Sequence, residues 1–385
     1  MYNLVIKTFI NGSIYIFIFL FLYLFSLVDL SKVPKRIKNS LFYLSAVFLT
    51  LFLACRWETG TDWWSYKSLF DDIELDITFI FNVYSFDLGY VLLNAFVRIF
   101  TDSYTIFLLV DSFLALSILF LFLKKHSYYV NISTYFFFVS FYVAQYMGSN
   151  RRMIAMSILL YAFYFIFKGD KKRYFFCQFV AFMFHRSSII GILAWFIPQK
   201  RFSTKKIFWI LSVAFFIGIS ELSLKVIDFL GNSLSGIIKH PLIEKIVFYS
   251  ATNLDTVSEN VNPIIQSTLS IIKRSIFLLF YLIIIRKKKN VIDDFTSYIF
   301  NIYIFSFALY VMLNGSPIFQ VLSAYFAIIE IVLVGRLLIY ADINIKYIIT
   351  FCIFFFGFFQ LLSSLNSYPE LYIPYIPFWS DIHRQ

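Results

Sequence analysis

Cysteine is nearly absent from this chain of 385 residues. The three present, Cys55, Cys177 and Cys352, are odd in number, lie in or beside apolar runs and show no metal-ligand spacing, so they read as packing residues. There is no His/Cys cluster, no Gly-rich nucleotide loop and no Asp-x-Asp pair. Metal sites and a metal-bound nucleotide sugar are therefore not expected. Acidic residues are also scarce, 22 against 33 Lys and Arg, which leaves a net charge of +11. That excess does not indicate nucleic acid, because the basic residues fall in short clusters between apolar runs, the positive-inside pattern of membrane proteins. Internal repeats, low-complexity linkers and a soluble domain are missing too. No cleavable signal peptide is expected, since the first apolar run is too long and lacks a small-residue site before the next basic loop.

What the chain does contain is apolar residue: 60% is hydrophobic and the mean hydropathy is +0.78, against about 45–50% apolar in ordinary domains. Recurring apolar runs predict an all-α, polytopic integral membrane protein, because helices satisfy their backbone within one segment. Runs long enough to cross lie at about 12–30, 40–55, 104–123, 130–147, 152–167, 206–223, 263–285, 296–313, 317–335 and 346–365. Two segments are open. Leu88 to Phe100 is short for a crossing, and Tyr174 to Pro198 is interrupted by His185-Arg186-Ser187-Ser188. If both dip in and return, every strongly basic loop (32–38, 124–126, 168–173, 199–206 and 286–289) falls on the cytoplasmic side. The expected architecture is one transmembrane domain over 1–385, with about 10–12 transmembrane helices plus re-entrant or interfacial helices. Residues 56–87 form an outer acidic loop. Residues 224–262 form an outer loop, read either as carrying an interfacial helix broken at Pro241 or as an ordinary structured loop.

This topology collects the unusual chemistry on one face. The turn Arg56-Trp57-Glu58-Thr59-Gly60-Thr61-Asp62-Trp63-Trp64-Ser65-Tyr66 brings an arginine, two carboxylates and four aromatics to a membrane boundary. It reads as an interfacial aromatic belt or as a site. Arg151 and Arg152 open a helix expected from Met153 to Phe167, where guanidinium forks and a helix N-terminus both favour phosphate oxygens. Lys273-Arg274 falls inside an apolar stretch, where adjacent cations either bind an anion or snorkel outward. His185 is a titratable group in an apolar hairpin, suited to a general base or to a sugar hydroxyl if it is not simply a structural residue. Glu330 stands deep in an apolar span without an i,i+4 partner, and is read as facing a cavity.

Together these residues resemble a known family. Arg56-(x)3-Gly60-Thr61-Asp62-Trp63-(x)2-Tyr66-(x)3-Phe70 is similar to the signature of EpsG-like bacterial polysaccharide repeat-unit polymerases, a group that includes O-antigen polymerases. Asn150-Arg151-Arg152-Met153-Ile154-Ala155 resembles that family's helix start, with Arg152 where Gln is usual. Phe184-His185-Arg186-Ser187-Ser188 resembles its His-x-Ser element, and Tyr372-Ile373-Pro374-Tyr375 its aromatic-proline tail. Gln320, ahead of Tyr325-Phe326, stands where an Arg is often found, and Lys273-Arg274 is the expected substitute. The resemblance implies a lipid-linked-donor glycosyltransferase, multi-pass in the bacterial cytoplasmic (inner) membrane. It would transfer a growing glycan from polyprenyl diphosphate to the next lipid-linked repeat unit on the periplasmic or outer face, as in lipopolysaccharide O-antigen synthesis. Arg56, Arg151, Arg152, Lys273 and Arg274 would stabilise the diphosphate leaving group. Asp62, or failing it Glu58 or His185, would be the base, and Trp63, Trp64 and Tyr66 would stack sugars. The expected partners are the lipid-linked donor and acceptor and membrane lipid, and a chain-length regulator protein is among those such an enzyme admits. No nucleic acid, cofactor or metal is expected. Two other functions compete: a lipid-linked glycan flippase, which calls for midplane cations and internal repeats, and a membrane O-acyltransferase built on His185.

Overall fold

The computed structural model describes residues 10–76, 86–235, 263–288, 291–314 and 316–381. The helix expected around 237–247 lies outside the described residues. In chain order the main elements are α1 (Ser13–Val28), α2 (Lys35–Ala54), β1 (Arg56–Trp57), α3 (Trp63–Asp72), α4 (Leu88–Arg98), α5 (Tyr104–His126), α6 (Val130–Phe137), α7 (Asn150–Phe167), α8 (Lys171–Phe184), α9 (Thr204–Ile219), α10 (Leu222–Ser235), α11 (Pro263–Lys287), α12 (Asp294–Met312), α13 (Ile343–Ser367) and β2 (Ile376–Pro377). They form two compact units, one of Met1–Trp195 with Ile331–Gln385 and one of Phe196–Glu330.

The all-α polytopic membrane fold is what the apolar runs predict, but fewer runs are straight helices than were expected to cross. Among the described residues, α2, α5, Thr268–Lys287 of α11, α12 and α13 are long and apolar enough to span a membrane, and two bent helix pairs raise the number to seven. The others are short or broken. Helix α1 has 16 residues, the 130–147 run changes at Phe138 into a π-helix that continues to Met147, and the 317–335 run is interrupted by a 3-10 turn at Val321–Ser323. Apolar composition does not encode such breaks, because each keeps the same side chains facing the same apolar surroundings.

Both open segments have definite shapes. Helix α4 has 11 residues, about 16 Å at 1.5 Å per residue, roughly half of a 30 Å hydrocarbon core. Lys171 to Phe196 is a hairpin of α8 and a 3-10 helix (Arg186–Phe196). Its arms lie together, with Tyr174 stacked on Trp195 at 5.4 Å and Gln178 Nε2 donating to the Ser188 carbonyl at 2.8 Å. The chain therefore returns to the level from which it left, with His185 at the tip.

Polar connectors carry the helix caps. Asp170, Ser203 and Asp293 each accept the backbone N–H three residues on, at 3.0, 3.3 and 2.9 Å, which is standard N-capping. Asp29 caps in trans: its buried carboxylate accepts the N–H groups of Asn131 and Ile132, at 2.8 and 3.1 Å, at the start of α6.

The C-terminal aromatic segment is fastened around the Arg56 turn. β1 and β2 pair antiparallel, with Arg56 opposite Pro377 and Trp57 opposite Ile376. The Phe378 N–H donates to the Cys55 carbonyl at 2.9 Å and the Gly60 N–H to the Leu371 carbonyl at 3.1 Å. Tyr375 stacks on Phe52 at 4.2 Å and donates to its carbonyl at 2.7 Å. Gly60 has φ +117°, and a Cβ there would stand 2.3 Å from the Met147 carbonyl oxygen, at the end of the π-helix. Only glycine suits both the dihedral and the contact. Gly60→Ala is expected to destabilise the protein by about 1–3 kcal/mol, read as a lower thermal midpoint in detergent.

Candidate active site

The end of α2 delivers Arg56 into the interior, where it is 1% exposed. Its Nη1 donates to the Leu53 carbonyl and its Nη2 to Asn150 Oδ1. Asn150 Nδ2 passes the chain on to the Tyr90 hydroxyl at 3.1 Å. Arg56 thus ties the first motif to the start of α7. Asp111, fully buried on α5, feels the charge of Arg56, and neither of its oxygens has a hydrogen-bond partner among the described residues. The sequence reading singled out Glu330 and passed over Asp111, although Asp111 too is a carboxylate inside an apolar run.

In front of Arg56, the Tyr66 hydroxyl joins three groups. It donates to Asp62 Oδ2 at 3.2 Å, accepts from Arg151 Nε at 3.3 Å and lies 2.8 Å from Ser149 Oγ. Burial raises the Tyr66 phenol above its usual range despite the opposing charge of Arg151, so it stays a neutral donor to Asp62. Because Tyr66 spends its single proton on Asp62, Ser149 is the donor in their contact.

Asp87, the residue preceding α4, is the centre of the arrangement. Its side chain is 4% exposed. Oδ2 accepts from Arg151 Nη1 at 2.8 Å and lies 3.3 Å from His185 Nδ1. Oδ1 meets the Arg186 backbone N–H at 3.2 Å and Arg186 Nε at 3.0 Å. Burial alone would push this carboxyl up, but the His185 hydrogen bond and the charges of Arg151, His185 and Arg186 outweigh it and hold Asp87 below the usual carboxylate range. The close approach of α4 to the hairpin depends on Gly89, where a Cβ would stand 2.9 Å from the Met183 backbone. Asp87 was counted in the sequence only as the end of an acidic loop, and no local signal distinguishes it from its neighbours there.

Five of the eleven expected site residues meet. Arg56, Asp62, Tyr66, Arg151 and His185 are linked through Asn150, Ser149 and Asp87. Arg152 turns instead to Gln145, donating from Nη1 to Oε1 at 3.1 Å. Glu58 is buried, with φ +48°, so it shapes the turn's backbone. Two expectations change. Arg56 is spent on protein acceptors and reaches no surface. Trp63 and Tyr66 are core residues, Trp63 packing edge-on against Trp57 and Tyr104 at 4.9 and 5.4 Å, so of the three sugar-stacking candidates Trp64, 54% exposed, presents an open ring. Lys273 and Arg274 belong to the second unit. There the charge of Glu330 reaches Lys273, and the Arg274 guanidinium covers the Tyr310 ring at 4.4 Å. Glu330 is buried, accepts from the Tyr281 hydroxyl at 3.0 Å and feels the charges of Lys273 and Arg274.

The depressed Asp87 carboxyl gives a pH prediction. Its contribution to stability is complete above the ordinary aspartate value of 3.8 and is lost as pH falls through the lower folded value. Asp87→Asn is expected to cost about 3–5 kcal/mol at neutral pH, because it strands buried cations. The gap between the two proteins should close as acid protonates Asp87. Thermal melts of both from pH 7 to pH 3 check this, and a gap that stays constant down to pH 3 would contradict it.

Comparison with known proteins agrees with the motif order. No curated protein and no solved structure matches the chain. A family model matches residues 39–377, a span that takes in the Arg56 turn, the α7 start, the His185 hairpin and the returning tail. On that match the chain belongs to the EpsG family.

Proposed function

We propose that this protein polymerises lipid-linked glycan repeats, moving a growing chain from polyprenyl diphosphate to the next lipid-linked repeat unit at the outer face of the bacterial cytoplasmic membrane. Membership of the EpsG family supports the coarser reading, a membrane glycosyltransferase-like polysaccharide polymerase. The donor chemistry rests on one observation: Arg151, at the start of α7, and His185 and Arg186, from a second motif, gather around Asp87.

Glycosyl transfer from a diphosphate needs positive charge where the leaving oxygens become more negative. Arg151 commits Nε to Tyr66 and Nη1 to Asp87, which leaves Nη2 of its fork for a phosphate oxygen. The N-terminus of the 18-residue helix α7 adds its partial positive charge at the same point. Arg186, with its side chain 34% exposed, supplies a second guanidinium. Trp64 offers a flat apolar face to a sugar ring. Arg56 works from behind, holding Asn150 and with it the start of α7.

The test is a surface-glycan gel from the native strain carrying Arg151→Ala. The ladder is expected to collapse to core plus one repeat unit while the protein stays in the membrane at about the wild-type level. The loss of turnover should be roughly 10²-fold or more, the scale of removing one charge-stabilising donor. Loss of even the single repeat would indicate export instead, and an unchanged ladder with altered acetylation would indicate acyl transfer.

A further inference from the structure

Four groups at the site are candidates for taking the proton from the acceptor hydroxyl. Asp62 is taken up by the hydrogen bond it accepts from the Tyr66 hydroxyl. Glu58 is buried within the turn. Asp87 has both oxygens committed to cations and the Arg186 backbone. The remaining group is His185, at the tip of the hairpin.

Resting on the polymerase reading, we infer that His185 and Asp87 form a base dyad, in which His185 is the catalytic base and Asp87 the positioning residue that fixes its ring. An ionised carboxylate only accepts hydrogen bonds, so the contact between His185 Nδ1 and Asp87 Oδ2, at 3.3 Å, places the ring hydrogen on Nδ1. Nε2 is then the basic nitrogen. The same carboxylate oxygen holds Arg151 Nη1, so one atom sets the spacing between the base and the cation assigned to the leaving group. The Arg186 backbone N–H on Oδ1 closes the hairpin tip onto Asp87 and restrains the ring's backbone. The charges facing the imidazole are Arg151 and Arg152 from α7 and Asp87 from the start of α4, with Arg186 next in sequence.

In the step itself, the acceptor sugar O–H gives its proton to His185 Nε2 as its oxygen bonds to the donor's anomeric carbon. The bond from that carbon to the diphosphate oxygen breaks, and its electron pair leaves with polyprenyl diphosphate. Arg151 and Arg186 balance the new negative charge. The imidazolium is stabilised by Asp87 until it returns its proton to water.

The test uses the purified full-length chain with a lipid-linked repeat unit, following polymer length and initial rate. His185→Gly is expected to lower turnover by about 10²–10⁴-fold, and added imidazole to restore it by roughly 10-fold or more. A merely structural histidine would not respond to imidazole. Asp87→Asn should lower kcat by at least about 10-fold more in the wild-type background than in the His185→Gly background, because there a residue acting through His185 has nothing left to orient. Its loosening of Arg151 lowers kcat in both backgrounds alike and cancels in that comparison. Rescue that fails, or kcat effects that multiply, would overturn the dyad while leaving the polymerase intact. A wild-type protein that extends no chain would overturn both.

Discussion

Positive groups crowded into a low-dielectric setting repel one another. Two unit charges about 5 Å apart do so by roughly 3 kcal/mol at an effective dielectric near 20. Arg151 and Arg186 come from different helices and meet only because Asp87 accepts from both, with His185 on the same carboxylate. Without that anion, the two guanidiniums would face each other uncompensated. The arrangement has a chemical consequence. A carboxylate that gathers cations also competes with the phosphate they would bind, so the site trades some affinity for preorganisation. Arg151 meets protein through two of its three nitrogens, Nε on Tyr66 and Nη1 on Asp87.

Behind this cluster the first motif is scaffolding. Arg56 holds Asn150, Thr61 donates to the Gly148 carbonyl at 2.8 Å, and Gly60 admits the Met147 carbonyl where a side chain would not fit. Tyr66 and Ser149 complete the link from α3 to α7. Together these contacts fix where the start of α7, and Arg151 on it, stands. The returning tail has the same role, since β2 and Tyr375 clamp the end of α2 from the other side.

Apolar periodicity made the helices readable, and charge at the connectors made the hairpin readable, because both are local properties of a segment in a bilayer. The shared location of the Arg56, Arg151 and His185 motifs was also legible, since all three fall on one side of the same charge-derived topology. What the sequence hid is partnership. Asp87 looks like one more acid in an acidic loop, and its importance comes from α4 folding against α8. Asp111 looks like a lone polar residue in an apolar run until Arg56 is seen buried within its electrostatic reach. The tryptophans misled for a related reason. An aromatic at a membrane boundary either packs inward or lies open, and adjacent Trp63 and Trp64 do one each, because successive residues at the start of a helix point about 100° apart.

Position 320 and Arg274 meet the same residue, Tyr310. Where the resemblance leads one to look for an arginine, Gln320 sends its amide to the Tyr310 carbonyl at 3.2 Å. The ring of that same tyrosine lies under the Arg274 guanidinium. A guanidinium therefore stands beside this position within the second unit, held by a cation–π contact worth about 0.5–2 kcal/mol and by a backbone that accepts from the Tyr303 hydroxyl at 2.9 Å. Glutamine at 320 serves as a neutral strut for the tyrosine on which Arg274 rests.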